Sequence, residues 1–286
     1  MSTCRRCSKK TICSDYCKRH FFTYFENKVR DTIQKYQLIH KKDKILVGVS
    51  GGKDSLTVLH LLNQFGYSVH ALAIDEGIAG YRDQTLEDAK VFCTSHKIPL
   101  KIVSYQKEYG QTLDQVMKTR TKGACSPCGT FRRNLLNKHS KGYDKMATGH
   151  NMDDEAQTIL INLFKSHTHL ISRQGPTTTK KKGFVPRVKP LYFMKEKEIM
   201  TYSYLKDIVT HFTECPYSHT AYRIYVRDAL NHYEDQHPGT KKNLLQSHLA
   251  LKKEMHPQEE KMNYCKRCGA PSSHLICQSC TYRQGF

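Results

Sequence analysis

The stretch ILVGVSGGKDSLTVLHLL, residues 45–62, constrains this chain more than any other. A short β-rich apolar run leads into a glycine turn, and a helical apolar pattern leaves it. Glycine lets a backbone approach a ligand closely, and the following helix offers its N-terminal amides and dipole to an anion. A strand–turn–helix of this kind belongs to a parallel α/β sheet. It is not an ordinary phosphate loop of the Gly-x4-Gly-Lys-Ser/Thr type. The first glycine of that pattern would fall at Val47, and Asp54 stands where the hydroxyl residue should be.

The rest of the chain supports the same architecture. KILVGV, SVHALAI and LKIVSY read as strands alternating with helices that start near Ser55 and span about 83–95. DKMATGH reads as a further strand ending at Gly149, and DDEAQTILINLFKS as the next helix, its acids at the positive end. This alternation predicts a parallel sheet with helices on both faces, a Rossmann-like α/β domain. Residues 21–38 carry helical spacing, and TKKNLLQSHLALKKEM reads as a late basic helix. Residues 172–190, rich in Gly, Pro, Thr and Lys, read as a loop with a mobile TTTKKKG, and HPQEEK reads as a polar linker.

The chain has 46 basic against 26 acidic residues, a net charge of +20 spread along its length. That favours a polyanionic partner over a merely solvated basic surface, and nucleic acid is the commonest polyanion. No long apolar run or signal-like N-terminus is evident, so neither a membrane span nor a membrane partner is expected, and the cytoplasm is the expected compartment.

Twelve cysteines then need a reducing-compartment explanation, in which clustered pairs mean metal or redox chemistry. Cys93 stands alone in a helix-to-strand stretch and reads as a small buried apolar residue. GACSPCGTFRR supplies Cys125 and Cys128, and TECPYS supplies Cys215. A lone Cys-x2-Cys suits a redox pair or half a zinc site equally well. A structural zinc would want a fourth ligand, and only His211 and His219 flank Cys215. Three thiolates suit a [4Fe-4S] cluster with one iron left open. A persulfide on one cysteine, resolved by another as a disulfide, is the competing reading.

SGGKDS resembles the PP-loop of the ATP pyrophosphatases, and TGHNMDDEAQT, residues 148–158, resembles the second shared stretch of the tRNA-modifying PP-loop enzymes. The resemblance implies an adenine nucleotide alpha hydrolase-like fold. It also implies that Ser50, Gly51, Gly52, Lys53, Asp54 and Ser55 hold the pyrophosphate end of ATP. Gly149 would contact the nucleotide, the main chain near Ile74 would meet adenine, and Asp154 would face the reactive phosphates. Asp54 and Asp154 could work through Mg2+, a hard cation that takes carboxylate and phosphate oxygens together. The bland reading of Asp153 and Asp154, helix N-terminal charge, is set aside because SGGKDS accompanies them.

Together with the Cys-x2-Cys pair, the late Cys-Pro-Tyr-Ser, the segment GFVPRVKPLYFMKEKEI and paired cysteines at both ends, the chain resembles the tRNA 2-thiouridine synthetase family over nearly its whole length. The resemblance implies that a tRNA uridine is adenylated at its C2 oxygen and that the oxygen is displaced by sulfur held on a cluster at Cys125, Cys128 and Cys215. Sulfur would come from a ubiquitin-like thiocarboxylated carrier or from sulfide. Arg132 would be a basic active-site residue, and the protein a homodimer. Formation of 2-thiocytidine uses a similar loop and cysteine trio without zinc modules at both ends. Lysidine-type amide ligation has no use for the central cysteines. An RNA-binding zinc protein with a dead loop would bind tRNA without releasing pyrophosphate.

The expected organisation is an N-terminal zinc finger at 1–25, a catalytic domain at 26–258 and a C-terminal zinc finger at 259–286. At the C-terminus Cys265, Cys268, Cys277 and Cys280 form C-x2-C-x8-C-x2-C, a strong Zn2+ signal. At the N-terminus, Cys4 and Cys7 pair with Cys17 and His20 in the family pattern, while Cys13 with Cys17 would give four thiolates instead. Segments this short could not fold without metal. Arg5, Arg6, Lys9, Lys10, Lys18 and Arg19 crowd the first module and Lys266, Arg267 and Arg283 the second, a density suited to RNA phosphates. Tyr16, Tyr264 and Tyr282 could stack on bases, though each alone reads as packing.

Overall fold

A computed structural model of the protein describes residues 3–118, 123–178, 181–208, 211, 213–218, 222–255 and 262–284. Five parallel strands form the central sheet in the order β3-β2-β1-β4-β5: β1 Lys44–Val49, β2 Ser68–Asp75, β3 Leu100–Ser104, β4 Lys145–Ala147 and β5 Arg187–Val188. The order reverses direction at β1. Chain connections leave on opposite sides there and open a crevice at the strands' C-terminal ends, where open α/β sheets bind ligands.

The strands alternate between two apolar layers, as buried parallel strands must. Ile45, Val47 and Val49 of β1 and Val69, Ala71 and Ala73 of β2 face one core. That core is closed by α1 (Lys18–Lys35), α2 (Lys53–Gln64), α3 (Arg82–Ser95) and α9 (Glu196–Leu205). Leu46, Leu72 and Ile74 face the other, against α4 (Tyr105–Tyr109), α5 (Leu113–Lys118) and α6 (Cys125–His139). A third cluster joins α7 (Met152–Phe164), α10 (Arg223–Gln236) and α11 (Thr240–Glu254). The short α8 (Thr168–Ile171) follows α7. At the C-terminus the antiparallel pair β6 (Asn263–Tyr264) and β7 (Pro271–Ser272) precedes α12 (Gln278–Gln284). Cys93 is buried in the first core.

Several elements differ from the sequence reading for local reasons. The first helix stops at Lys35 because Gln37 turns left-handed at φ 48°. Leu38 N–H then donates to Ile33 O at 3.0 Å and Gln37 N–H to Gln34 O at 3.1 Å, a Schellman closure. Leu38 extends the apolar periodicity because it folds back into the core, not because it is helical. Helix α2 starts at Lys53, two residues before the expected Ser55. Strand β4 ends at Ala147 instead of Gly149, which frees residues 148–151 to turn toward the glycine loop. The stretch 172–190 is not all loop: Arg187 and Val188 add a fifth strand beside Met146 and Ala147. Of TTTKKKG, Thr179 and Lys180 lie outside the described residues, as do His219 and all of HPQEEK. Helix α1 is continuous through residue 25, and Phe21 and Phe25 lie in the first core, so the N-terminal module is built onto the sheet domain.

Candidate active site

The turn after β1 is shaped by one unavoidable glycine and by a buried arginine. Gly51 has φ 84°, and a Cβ there would sit 1.8 Å from Thr85 O, so no other residue fits. Arg82, 3% exposed, donates through Nη1 to Ser50 O at 2.5 Å and through Nε to Ile74 O at 2.9 Å, with Nη2 also reaching Ile74 O. It pairs with the buried Glu76, Nε to Oε2, at 2.7 Å. One guanidinium thus ties the glycine loop to the end of β2, a task for Arg's fixed fork of donors. Neither Arg82 nor Glu76 has a sequence pattern to betray it. The main-chain oxygen of Ile74, expected near adenine, is taken by this arginine.

Two further contacts bring the stretch at residues 148–158 against the glycine loop. A Cβ on Gly149 would fall 2.8 Å from Asp54 C and Ser55 N, so glycine there lets two backbones touch. Asn151 Nδ2 donates to Asp54 Oδ1 at 3.0 Å. Asn151 also caps α7: its Oδ1 accepts from Asp154 N–H at 3.0 Å while Asp154 Oδ2 accepts from Asn151 N–H at 3.3 Å, a closed capping box. Helix capping and a place in the crevice therefore coexist at Asp154. Burial, and then the nearby Asp54 charge, raise its pKa to about 6, with Arg223 opposing. Asp153 points elsewhere: it accepts from Glu196 N–H at 2.8 Å and pairs with Lys241 at 2.5 Å, joining α7 to α9 and α11.

These pieces enclose a cavity of about 260 Å³. Ser50, Asp54, Ser55, Ile74, Gly149 and Asp154 line it with Glu76, Arg82, Arg132 and His150. Lys53 does not line it; its Nζ lies 2.9 Å from Glu196 and 3.1 Å from Asp54. Burial alone would lower the Lys53 pKa, but the two carboxylates prevail and raise it, so the ammonium is charged. Arg132 reaches into the cavity from α6, 3.9 Å from Glu76. It sits one turn beyond Cys128 on the same helix face.

The central cysteines border this arginine. Cys125 is exposed at the start of α6, and Cys128 and Cys215 are half-buried. Tyr105 O–H donates to Cys128 O at 2.7 Å. Burial pushes the Cys128 thiol up to about 11, against the pull of Arg132, and raises Cys215 as well. The thiolate form, which a nucleophile and a metal ligand alike require, has to form against that burial. Cys215 lies within electrostatic reach of both Cys125 and Cys128. The three sulfurs are nevertheless not among the sets whose ligand atoms all fall within 4.8 Å of each other. At least one pair of these sulfurs therefore lies farther apart than the ligands of one tetrahedral zinc.

Among the described residues the compact sets are the two terminal ones: Cys4, Cys7, Cys17 and His20, and Cys265, Cys268, Cys277 and Cys280. A tetrahedral zinc with bonds of about 2.3 Å to sulfur places its sulfurs about 3.8 Å apart. Cys7 and Cys17 are 3.7 Å apart and Cys268 and Cys277 3.6 Å, while His20 Nδ1 lies 3.4 Å from Cys4 and 3.6 Å from Cys17. Both sets fit the ion. Cys13 lies outside the first set, its sulfur 3.8 Å from Ser14 Oγ and packed in the sheet core.

Residues 22–233 match the family model for the PP-loop domain. The chain is 37% identical to the tRNA-5-methyluridine(54) 2-sulfurtransferase of Pyrococcus horikoshii, over 98% of this chain and 93% of that one. It is 38% identical to cytoplasmic tRNA 2-thiolation protein 1 of Xenopus laevis, over 94% and 82%. Among solved structures it is similar to the U34-tRNA thiolase NcsA from Methanococcus maripaludis with its [4Fe-4S] cluster. That match has 31% identity and a TM-score of 0.86, covering 100% of this chain and 97% of that one.

Proposed function

The chain belongs to the PP-loop family of tRNA 2-sulfurtransferases, and from that premise we propose how its residues divide the reaction. ATP enters the cavity with its phosphates on the Ser50–Ser55 turn, against the first amides of α2. Lys53, charged and pinned by Glu196, supplies a positive field behind the pyrophosphate. Asp54 and Asp154 converge on the same cavity and are the residues to hold Mg2+, which when bound neutralises phosphate charge. A uridine C2 oxygen attacks the α-phosphate, pyrophosphate leaves, and the oxygen departs later with AMP when sulfur takes its place. Arg132, facing the cavity from the cysteine helix, is placed to stabilise negative charge on that oxygen.

Cys125, Cys128 and Cys215 are the residues to hold a [4Fe-4S] cluster, which supplies an iron with an open position for the sulfur atom. The relative whose structure carries such a cluster supports this over a persulfide route. The terminal sets hold one zinc each and close the small modules. Relatives are named for position 54 and for U34 alike, so the reading extends to a tRNA uridine and not to one position. Sulfide or a ubiquitin-like carrier is the donor, a homodimer the working form, and the cytoplasm, after the relatives' name, the compartment.

The observation that carries this reading is the single cavity in which the glycine loop, Gly149, Asp154 and the arginine of the cysteine helix meet. Anaerobic reconstitution with iron and sulfide, followed by ATP, tRNA and mass spectrometry of nucleosides, tests it. Wild type is expected to yield 2-thiouridine, and Cys125→Ser, Cys128→Ser and Cys215→Ser none. Thiolation surviving those changes, or 2-thiocytidine as the product, would refute it.

A further inference from the structure

A second concavity, about 930 Å³, runs beside the candidate active site between α6, the segment before β5 and the C-terminal module. Its charge is one-sided. Arg133, Arg173, Lys181 and Arg187 line it, and no aspartate or glutamate does among the described residues. Arg187 lies in the field of Arg133, and both line the groove. Burial first and Arg133 second depress the Arg187 guanidinium to about 10. Arg133 and Arg187 repel each other in a groove whose described lining carries no carboxylate, and that arrangement points to an anion that compensates the two. Phe184 lines the same groove half-exposed and outside the hydrophobic core clusters, an aromatic face available for stacking.

The position of the groove identifies the anion. The lining includes Ser126, between Cys125 and Cys128. Its hydroxyl is 2.8 Å from Tyr282 OH, which fixes α6 to the C-terminal module. At the β5 side, Arg187 and Arg132 both act on His150, which lines the nucleotide cavity. The groove therefore leads to the place where a target base must be presented. A base inside a stack cannot reach that cavity, so its strand must be held extended on either side. A cationic channel with an aromatic face is the usual means of holding such a strand.

We propose that the Arg133–Arg187 groove, with Phe184, is the track for the unpaired tRNA strand flanking the target uridine: the arginines bind two successive phosphates and Phe184 stacks on a neighbouring base. The proposal rests on the tRNA-thiolating reading above. The alternative occupant, the carboxylate tail of a sulfur-carrier protein, is separated by the choice of donor.

The test uses full-length reconstituted enzyme with sulfide as donor, so that no carrier protein is present. Arg133→Gln and Arg187→Gln are compared with wild type and with Lys42→Gln, an exposed lysine outside the groove. Measured are tRNA affinity from 50 to 300 mM salt, ATP affinity without tRNA, iron content, and KM and kcat for thiolation. Each arginine change is expected to flatten the plot of log affinity against log salt by about 0.7, the single-strand value per phosphate. Each should raise the KM for tRNA, with kcat, ATP affinity and iron content at wild-type values. Phe184→Ala should weaken tRNA binding with the slope unchanged, and Phe184→Tyr should restore it. Slopes and KM values equal to wild type for both arginine variants would overturn the proposal. So would a defect that appears with a carrier protein as donor and vanishes with sulfide. A wild-type enzyme that binds and thiolates no tRNA would remove the functional reading itself, an outcome visible before any variant is compared.

Discussion

Replacing Gly149 by alanine isolates the contact on which the candidate site depends. Gly149 does not have a left-handed φ, so alanine brings no backbone strain; the only issue is space. Its methyl carbon would lie 2.8 Å from Asp54 C and Ser55 N and 3.0 Å from Ser55 Cα. These are backbone atoms at the start of α2, held by the buried Leu56, Val58 and Leu59, and they cannot swing away as a side-chain tip would. To reach the 3.4 Å at which ordinary contact begins, the two turns must separate by about 0.6 Å. Overpacking of this kind costs about 1–3 kcal/mol. The same separation stretches the 3.0 Å bond from Asn151 to Asp54 and moves Asp154 off the glycine loop. Displacements near 1 Å in a reacting geometry can cost about 100-fold in rate. Urea unfolding and calorimetric titration with ATP and Mg2+ read the two effects. Gly48→Ala is the stability control: its methyl would meet the Leu136 side chain at 3.4 Å and no backbone atom closer than 3.9 Å, so its stability should stay within about 0.5 kcal/mol of wild type. If Gly149→Ala matched wild type in stability and in ATP affinity, the close approach of the two turns would not be what builds the site.

Other perturbations probe separate parts of the account. Arg82→Leu strands Glu76 and frees the carbonyls of Ser50 and Ile74; it should cost about 3–5 kcal/mol in urea unfolding, and a loss under 1 kcal/mol would contradict the clamp. Asp153→Asn should destabilise the fold through Lys241 and α9, whereas Asp154→Asn should retain most stability and lose thiolation; the reverse pattern would exchange their roles. Cys13→Ser should keep two zinc ions per chain by native mass spectrometry and Cys17→Ser one; loss of an ion from Cys13→Ser would reinstate the four-thiolate set. His60 is half-buried against Phe92 and Tyr202, and burial, then His96 and Lys206, lower its pKa to about 4. The unfolded chain, near 6.5, binds the proton first as pH falls. Stability is therefore full above 6.5 and declines toward pH 4, by about 2 kcal/mol at pH 5 from this group. His60→Gln should remove that part of the difference between pH 7.5 and pH 5, and an unchanged difference would place the titration elsewhere.

What could be read from sequence was local in the chain. SGGKDS, the asparagine and acids after Gly149, and the cysteine pairs are contiguous patterns, and the β1–turn–α2 unit follows from periodicity and glycine placement alone. The residues that escaped reading act across the chain. Arg82 joins two strand ends through carbonyl oxygens, Glu196 pins Lys53 from 143 positions away, and Lys241 neutralises Asp153 from 88. A buried ion pair carries no periodicity. Asp153 and Asp154 were indistinguishable as letters because their roles differ only by the 100° that separates adjacent helical residues. Strand β5 escaped because a two-residue strand after Pro186, amid lysines and glycine, has no alternation to show. The choice between Cys13 and His20 was open in sequence. Folding resolves the geometry by sending Cys13 into the sheet core and leaving the imidazole with the other three sulfurs.

The central claim is that this cavity exists to activate a uridine oxygen so that sulfur can replace it. The most direct measurement is oxygen tracing: tRNA carrying 18O at C2 of its uridines is thiolated anaerobically with ATP and sulfide, and the AMP is analysed by mass spectrometry. The account predicts one 18O in the phosphate of AMP for each 2-thiouridine formed, with unlabelled pyrophosphate. Label appearing in water or pyrophosphate, with none in AMP, would contradict it.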